Sequence, residues 1–148
     1  MERKINLIAV FVAAVVHFGL GAAWFTVFAQ PWIAGTRMTP EEVQGAQQTM
    51  SPLPYFVALL CNLVIAYAIA WVLAQLATQN VLRGIAVGAV LGFVMAAAMI
   101  TEFAFERRPS SFNLIAAGYP FVGAIIMGAI VGAWRKKAAS EWAARASA

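Results

Sequence analysis

The chain is 148 residues long, 63% hydrophobic and only 11% charged, with a net charge of +4. Soluble domains are roughly 45–50% apolar and 25% charged, and a chain this short has too much surface for its volume to hide the excess from water. A soluble enzyme, a disordered segment and a disulfide-stapled secreted scaffold are therefore excluded. The ten Lys and Arg sit at the ends of apolar runs rather than on one face, which points to lipid headgroups and away from nucleic acid.

Four charge-poor stretches set an all-α architecture of four membrane helices, at about residues 5–28, 54–77, 82–105 and 112–134 of one integral membrane domain. Each is near the ~20 residues needed to cross ~30 Å of hydrocarbon. Each must be helical, because only a helix satisfies its own backbone polar groups in lipid. The first follows Met1-Glu2-Arg3-Lys4. It is longer than the ~7–15 apolar residues of a signal-peptide core and lacks a clear small-x-small cleavage site, so it is read as a retained helix. It carries His17, about 20 Å past Lys4 and some 10 Å below the outer surface at ~1.5 Å per residue. Trp24 and Trp32 lie toward that surface, where amphipathic rings anchor a helix.

In the first outer loop, Thr39-Pro40-Glu41-Glu42 predicts a helix start, with Thr39 as N-cap, Pro40 in first position and Glu42 closing a capping box. A short extramembrane helix is expected over residues 40–48. Ser51-Pro52-Leu53-Pro54 then breaks the chain before the second membrane helix. That helix holds Asn62, about 12 Å deep, and Trp71, whose N–H wants a partner. It also holds the single cysteine, Cys61, which can form no intramolecular disulfide, and no CxxC or His/Cys cluster is present to hold zinc or an iron–sulfur group. A turn at Thr78-Gln79-Asn80 predicts an antiparallel hairpin of the second and third membrane helices.

The third helix carries Gly84, Gly88 and Gly92, and the fourth carries Gly128 and Gly132, all at four-residue spacing. Such positions let backbones approach closely in lipid, either within the bundle or across a dimer. Glu102 lies about 28 Å beyond Arg83, near the outer boundary, where it can reach headgroups and pair with Arg107 or Arg108. The fourth helix brings Tyr119 to about 12 Å depth. Pro120 beside it takes the donor from the Ala116 carbonyl and predicts a kink. Trp134 marks the inner interface. The basic Arg135-Lys136-Lys137 stops transfer, and the tail over residues 135–148 is expected to form a short surface helix with Glu141 and Arg145 paired.

With both termini inside, seven basic residues (Arg3, Lys4, Arg83, Arg135, Lys136, Lys137 and Arg145) lie on the inner side. Only Arg37, Arg107 and Arg108 lie outside, so termini-inside is preferred. His17, Asn62 and Tyr119 then share one level with Glu102 above them. They form either an outward-facing polar pocket for a small ligand or a proton, or a set of groups that satisfy one another and fix the bundle. One histidine is too thin a signal for haem or pigment. No nucleophile, metal or phosphate-binding motif is present, so neither cofactor nor enzymatic activity is expected.

Several stretches taken together resemble a bacterial family of small membrane proteins, domain of unknown function 1761. They are Gly19-Leu20-Gly21-Ala22-Ala23-Trp24-Phe25, Pro31-Trp32, Thr39-Pro40-Glu41-Glu42, Phe105-Glu106-Arg107-Arg108-Pro109, Ala117-Gly118-Tyr119 and Met127-Gly128-Ala129-Ile130-Val131-Gly132-Ala133-Trp134. The resemblance covers nearly the whole chain in order and implies a four-helix protein of the bacterial cytoplasmic (inner) membrane, without supplying an activity. The chain departs from the family pattern at Phe25-Thr26-Val27, where Tyr-Ser-Pro is common, and at Pro120, where a His often follows the Gly-Tyr pair. The expected function is a non-enzymatic structural, accessory or assembly component, alone or as a homo-oligomer or complex partner in the lipid bilayer. The alternative is a small transporter or channel built around the polar pocket.

Overall fold

The computed structural model describes residues 5–48, 51–76 and 79–134. Among them it contains six helices: α1 (Leu7–Val27), α2 (Ala29–Thr36), α3 (Pro40–Gln48), α4 (Leu53–Gln75), α5 (Val81–Phe105) and α6 (Ser110–Ala133). The four longest, α1, α4, α5 and α6, are long and apolar enough to cross a membrane. The basic stop and the tail helix expected over residues 135–148 lie outside the described residues, as do Arg3, Lys4 and Thr78.

Local chemistry fixes the helix ends. Asn6 caps α1, its side-chain oxygen accepting from the Ile8 and Ala9 N–H groups at 3.2 and 3.4 Å. Pro31, four residues beyond Val27, has no N–H for the Val27 carbonyl, so α1 gives way at Phe28 (φ −98°, ψ 20°). The chain re-enters a helix at once, with the Trp32 N–H on the Phe28 carbonyl at 3.1 Å. This α2 was not expected from the sequence, because Pro31 reads as a breaker. It sits at the third helical position, where its missing N–H is one that the first turn leaves unpaired anyway.

The capping box forms as expected. The Thr39 N–H donates to Glu42 Oε2 at 2.7 Å, and the Glu42 N–H donates to Thr39 Oγ1 at 3.2 Å. The α3 helix that follows packs against none of the other five helices among the described residues. Asn80 caps α5 by accepting from the Arg83 N–H at 2.9 Å, and α6 runs unbroken through Pro120.

The α6 helix is the centre of the bundle, touching α1, α2, α4 and α5. Of its most apolar window 44% is buried, against 22–28% for the other three spans. The α4 and α5 helices touch, yet α5 packs chiefly on α6 rather than on α4. The cause is the glycine ridge. A Cβ on Gly84 would strike the Gly128 carbonyl, one on Gly88 the Ala124 carbonyl, and one on Gly128 the Gly84 carbonyl. A Cβ on Gly92 would come within 2.9 Å of the Phe121 carbonyl oxygen, and one on Gly132 within 2.6 Å of that of Asn80. Bare backbone meets bare backbone along both helices, the closest packing available where apolar burial gives no preference between helix and lipid.

The ends of the bundle are tied separately. At one end, Asn6 Nδ2 donates to the Trp134 carbonyl at 3.3 Å and Gln79 Nε2 to that of Val131 at 3.1 Å. This terminal end joins the start of α1, the α4–α5 turn and the close of α6. Beside it lies an apolar cluster of Val10, Ala13 and Ala14 from α1, Ala66, Ile69, Ala70 and Leu73 from α4, and Ala124, Met127 and Val131 from α6. The opposite, loop end carries α2, α3 and the α5–α6 connection.

Candidate functional site

Three polar side chains from three helices meet in the middle of the bundle. His17 on α1 is 1% exposed and Asn62 on α4 is 6% exposed, while Tyr119 on α6 is half-buried. The His17 and Tyr119 rings stack with centroids 4.5 Å apart and an interplanar angle of 18°. The Tyr119 hydroxyl donates to the His17 backbone carbonyl at 3.2 Å. Asn62 lies beside both groups; among the described residues, Nδ1 and Nε2 of His17 and Nδ2 of Asn62 are buried without a hydrogen-bond partner. Ten residues separate His17 from either end of α1, which puts it about 15 Å from each. That is nearer the midplane than the ~10 Å depth counted from Lys4, because α1 stops at Val27.

Two glycines make the junction possible. A Cβ on Gly123 of α6 would fall on Cδ2 and Nε2 of the His17 ring, and one on Gly21 would come within 2.9 Å of the Tyr119 hydroxyl. Sequence reading missed both, since neither belongs to the four-residue glycine spacing. Each is a notch for one side chain rather than part of a helix ridge.

Glu102 does not join this group. It is exposed on α5, and α5 does not touch α1. Nor does Glu102 take the arginine partner expected for it: Arg108 Nε pairs with Glu106 Oε2 at 2.8 Å. Between the polar junction and the loop end lies a layer of rings. Phe25 packs on Tyr119 at 5.4 Å and on Trp32 at 5.3 Å, Trp32 stacks on Phe112 at 6.2 Å, and Phe103 meets Phe112 edge-on at 5.2 Å. Trp24 lies on Phe28 at 5.0 Å and donates its indole N–H to the Ile115 carbonyl at 3.0 Å. Trp24 and Trp32, expected as interfacial anchors, are thus half-buried and packed inward. Trp134 is 46% and Trp71 53% exposed. The junction lies between aromatic rings on one side and the aliphatic cluster on the other.

At the loop end, Arg108 holds α2 down. Its Nη1 donates to the Gly35 and Thr36 carbonyls at 3.0 and 2.7 Å, where α2 runs out of its own donors. The guanidinium also lies 5.4 Å from the Phe112 ring centre. Arg37 returns the link, donating from Nη2 to the Arg107 carbonyl at 2.6 Å, and both Arg37 and Arg107 adopt left-handed backbone (φ 62° and 55°). Replacing Arg108 by alanine is expected to free α2 and raise its amide hydrogen exchange well above that of α6. Lysine should not restore protection, because its one nitrogen cannot hold the Glu106 carboxylate and the two carbonyls from separate atoms, as Nε and Nη1 of Arg108 do; unchanged exchange in either variant contradicts this role.

Tyr119→Phe keeps the stack but loses the bond to the His17 carbonyl. A loss of about 1 kcal/mol is expected in a detergent or nanodisc melt, and no loss would mean that the hydroxyl contributes nothing.

Among the described residues, no group of three or more His, Cys, Asp or Glu comes together as a metal site. The fold and this junction define a multi-pass, four-helix membrane protein with a buried polar centre. Its family follows from the sequence match: the model for the protein of unknown function family DUF1761 matches residues 8–132, and the chain belongs to that family. No curated protein and no solved structure matches it.

Proposed function

We propose that the protein is a non-enzymatic structural or accessory component of a bacterial cytoplasmic membrane, with both termini on the cytoplasmic side. It works through helix–helix and lipid contacts, as a homo-oligomer or as one subunit of a membrane complex. The observation carrying this reading is how its surfaces are divided. The glycine ridges and the polar trio are engaged inside the bundle, while α1, α4 and α5 turn large apolar side chains outward, among them Phe11, Leu60, Val64, Val90 and Phe93. Such a surface suits lipid or another membrane helix and offers no substrate a foothold. A photo-crosslinking residue at Leu60 or Phe93 in native membranes tests it. A discrete protein adduct from one face is expected, and lipid adducts alone from every face would overturn it.

A second reading, a small transporter for a solute or proton, is favoured by the position of His17, Asn62 and Tyr119 halfway through the bilayer. The closed aromatic and aliphatic layers weigh against it. Reconstituted protein is expected to carry no solute or proton flux; a flux abolished by His17→Ala would replace the first reading with the second.

A further inference from the structure

We propose that the His17–Asn62–Tyr119 junction is an internal binding site for a small neutral hydrogen-bonding molecule, and that its occupant is water. Three nitrogen atoms, Nδ1 and Nε2 of His17 and Nδ2 of Asn62, are buried without partners in a part of the protein that bulk solvent does not reach. A polar group in apolar surroundings without a hydrogen bond carries a penalty of about 1–3 kcal/mol. Two side chains from neighbouring helices left in that state are met in proteins by an enclosed water, which binds where several polar groups converge.

The chemistry of the groups selects the ligand. A neutral imidazole offers one N–H donor and one lone pair, and the Asn62 amide nitrogen offers only donors. Meeting these groups takes both acceptor and donor capacity, as a hydroxyl has; a pure acceptor leaves the imidazole lone pair unmet, and a pure donor leaves the N–H groups unmet. An ion is excluded on charge. The three helices that form the junction, α1, α4 and α6, contain no Asp, Glu, Lys or Arg between their ends, and α5, with Glu102, does not touch α1. Size is limited from both sides. Gly123 sets the His17 ring directly on the α6 backbone, Gly21 brings Tyr119 against α1, and Phe25 and the aliphatic cluster close the two ends. The Tyr119 hydroxyl is engaged by the His17 carbonyl, which leaves His17 and Asn62 as the two sides of the site.

Water-edited solid-state NMR of the ¹⁵N-histidine-labelled full chain in nanodiscs tests this, since His17 is the only histidine. Wild type is expected to show magnetisation transfer from water to the His17 ring. Asn62→Leu should reduce that transfer severalfold, and Asn62→Ser, which keeps a hydrogen-bonding group, should retain it. Absence of transfer in wild type means a dry junction and overturns the proposal. Transfer undiminished in Asn62→Leu, or lost in a folded Asn62→Ser, overturns the shared site. Displacement of the water signal by added glycerol would show a site for a larger hydroxylic ligand and overturn water as the occupant.

Discussion

Leucine at Gly88 or Gly128 is expected to leave no folded bundle. At either position even a single Cβ falls on a carbonyl of the facing helix, and no rotamer can relieve a clash that begins at the first side-chain atom. Overpacking of a core typically costs about 1–3 kcal/mol where side chains can shift. Here backbone meets backbone, so the helices must separate, and α5 loses its main partner. The expected result is a Gly88→Leu or Gly128→Leu protein that runs aggregated on size exclusion and shows no cooperative melt. Gly19→Leu is the matched control, because nothing lies within 4 Å of a Cβ there, and it should melt as wild type does. A Gly88→Leu bundle as stable as the Gly19→Leu control would mean that the α5–α6 contact does not hold the fold together.

The second large effect is expected at Gly123. Alanine there puts a methyl group on the edge of the His17 imidazole, and the ring can move away only by giving up its stack on Tyr119 or its place beside Asn62. A loss of about 2 kcal/mol is expected. The double variant Gly123→Ala/His17→Ala should recover part of it, since the clash needs both partners. Strict additivity of the two single losses would show that Gly123 and His17 act independently and would remove the notch from the account.

The sequence made some of this legible, and the physical reason differs from element to element. The four spans and the capped α3 follow from local signals: an apolar run long enough to cross, or a Thr and a Glu three residues apart. The α2 helix was hidden because a proline breaks α1 and is tolerated in the first turn of α2 at the same time, so a single residue carries both meanings. Spacing found the glycine ridge, because two helices packed along their length repeat every turn. It could not find Gly21 or Gly123, which each admit one ring. Depth counted along the chain put His17, Asn62 and Tyr119 at one level with Glu102 above them. Level does not tell which helices are neighbours, and Glu102 sits on the one long helix that α1 does not touch. The pairing of Arg108 with Glu106 rather than Glu102 likewise depends on the chain turning at Arg107 in a left-handed conformation that its sequence does not announce.

A fold of four spans requires lipid as the solvent around α1, α4, α5 and α6, and the native cysteine offers a direct test. Cys61 lies within α4 with its side chain on the outside of the bundle. A membrane-impermeant maleimide applied to either face of intact membranes is predicted to leave it unlabelled and to react only after the bilayer is dissolved. In a Cys61→Ala background, cysteines placed at Thr39 and at Gln79, on opposite ends of the bundle, should label from opposite faces. Labelling of Cys61 in sealed membranes, or of both introduced cysteines from the same face, would contradict a bundle that crosses the bilayer four times.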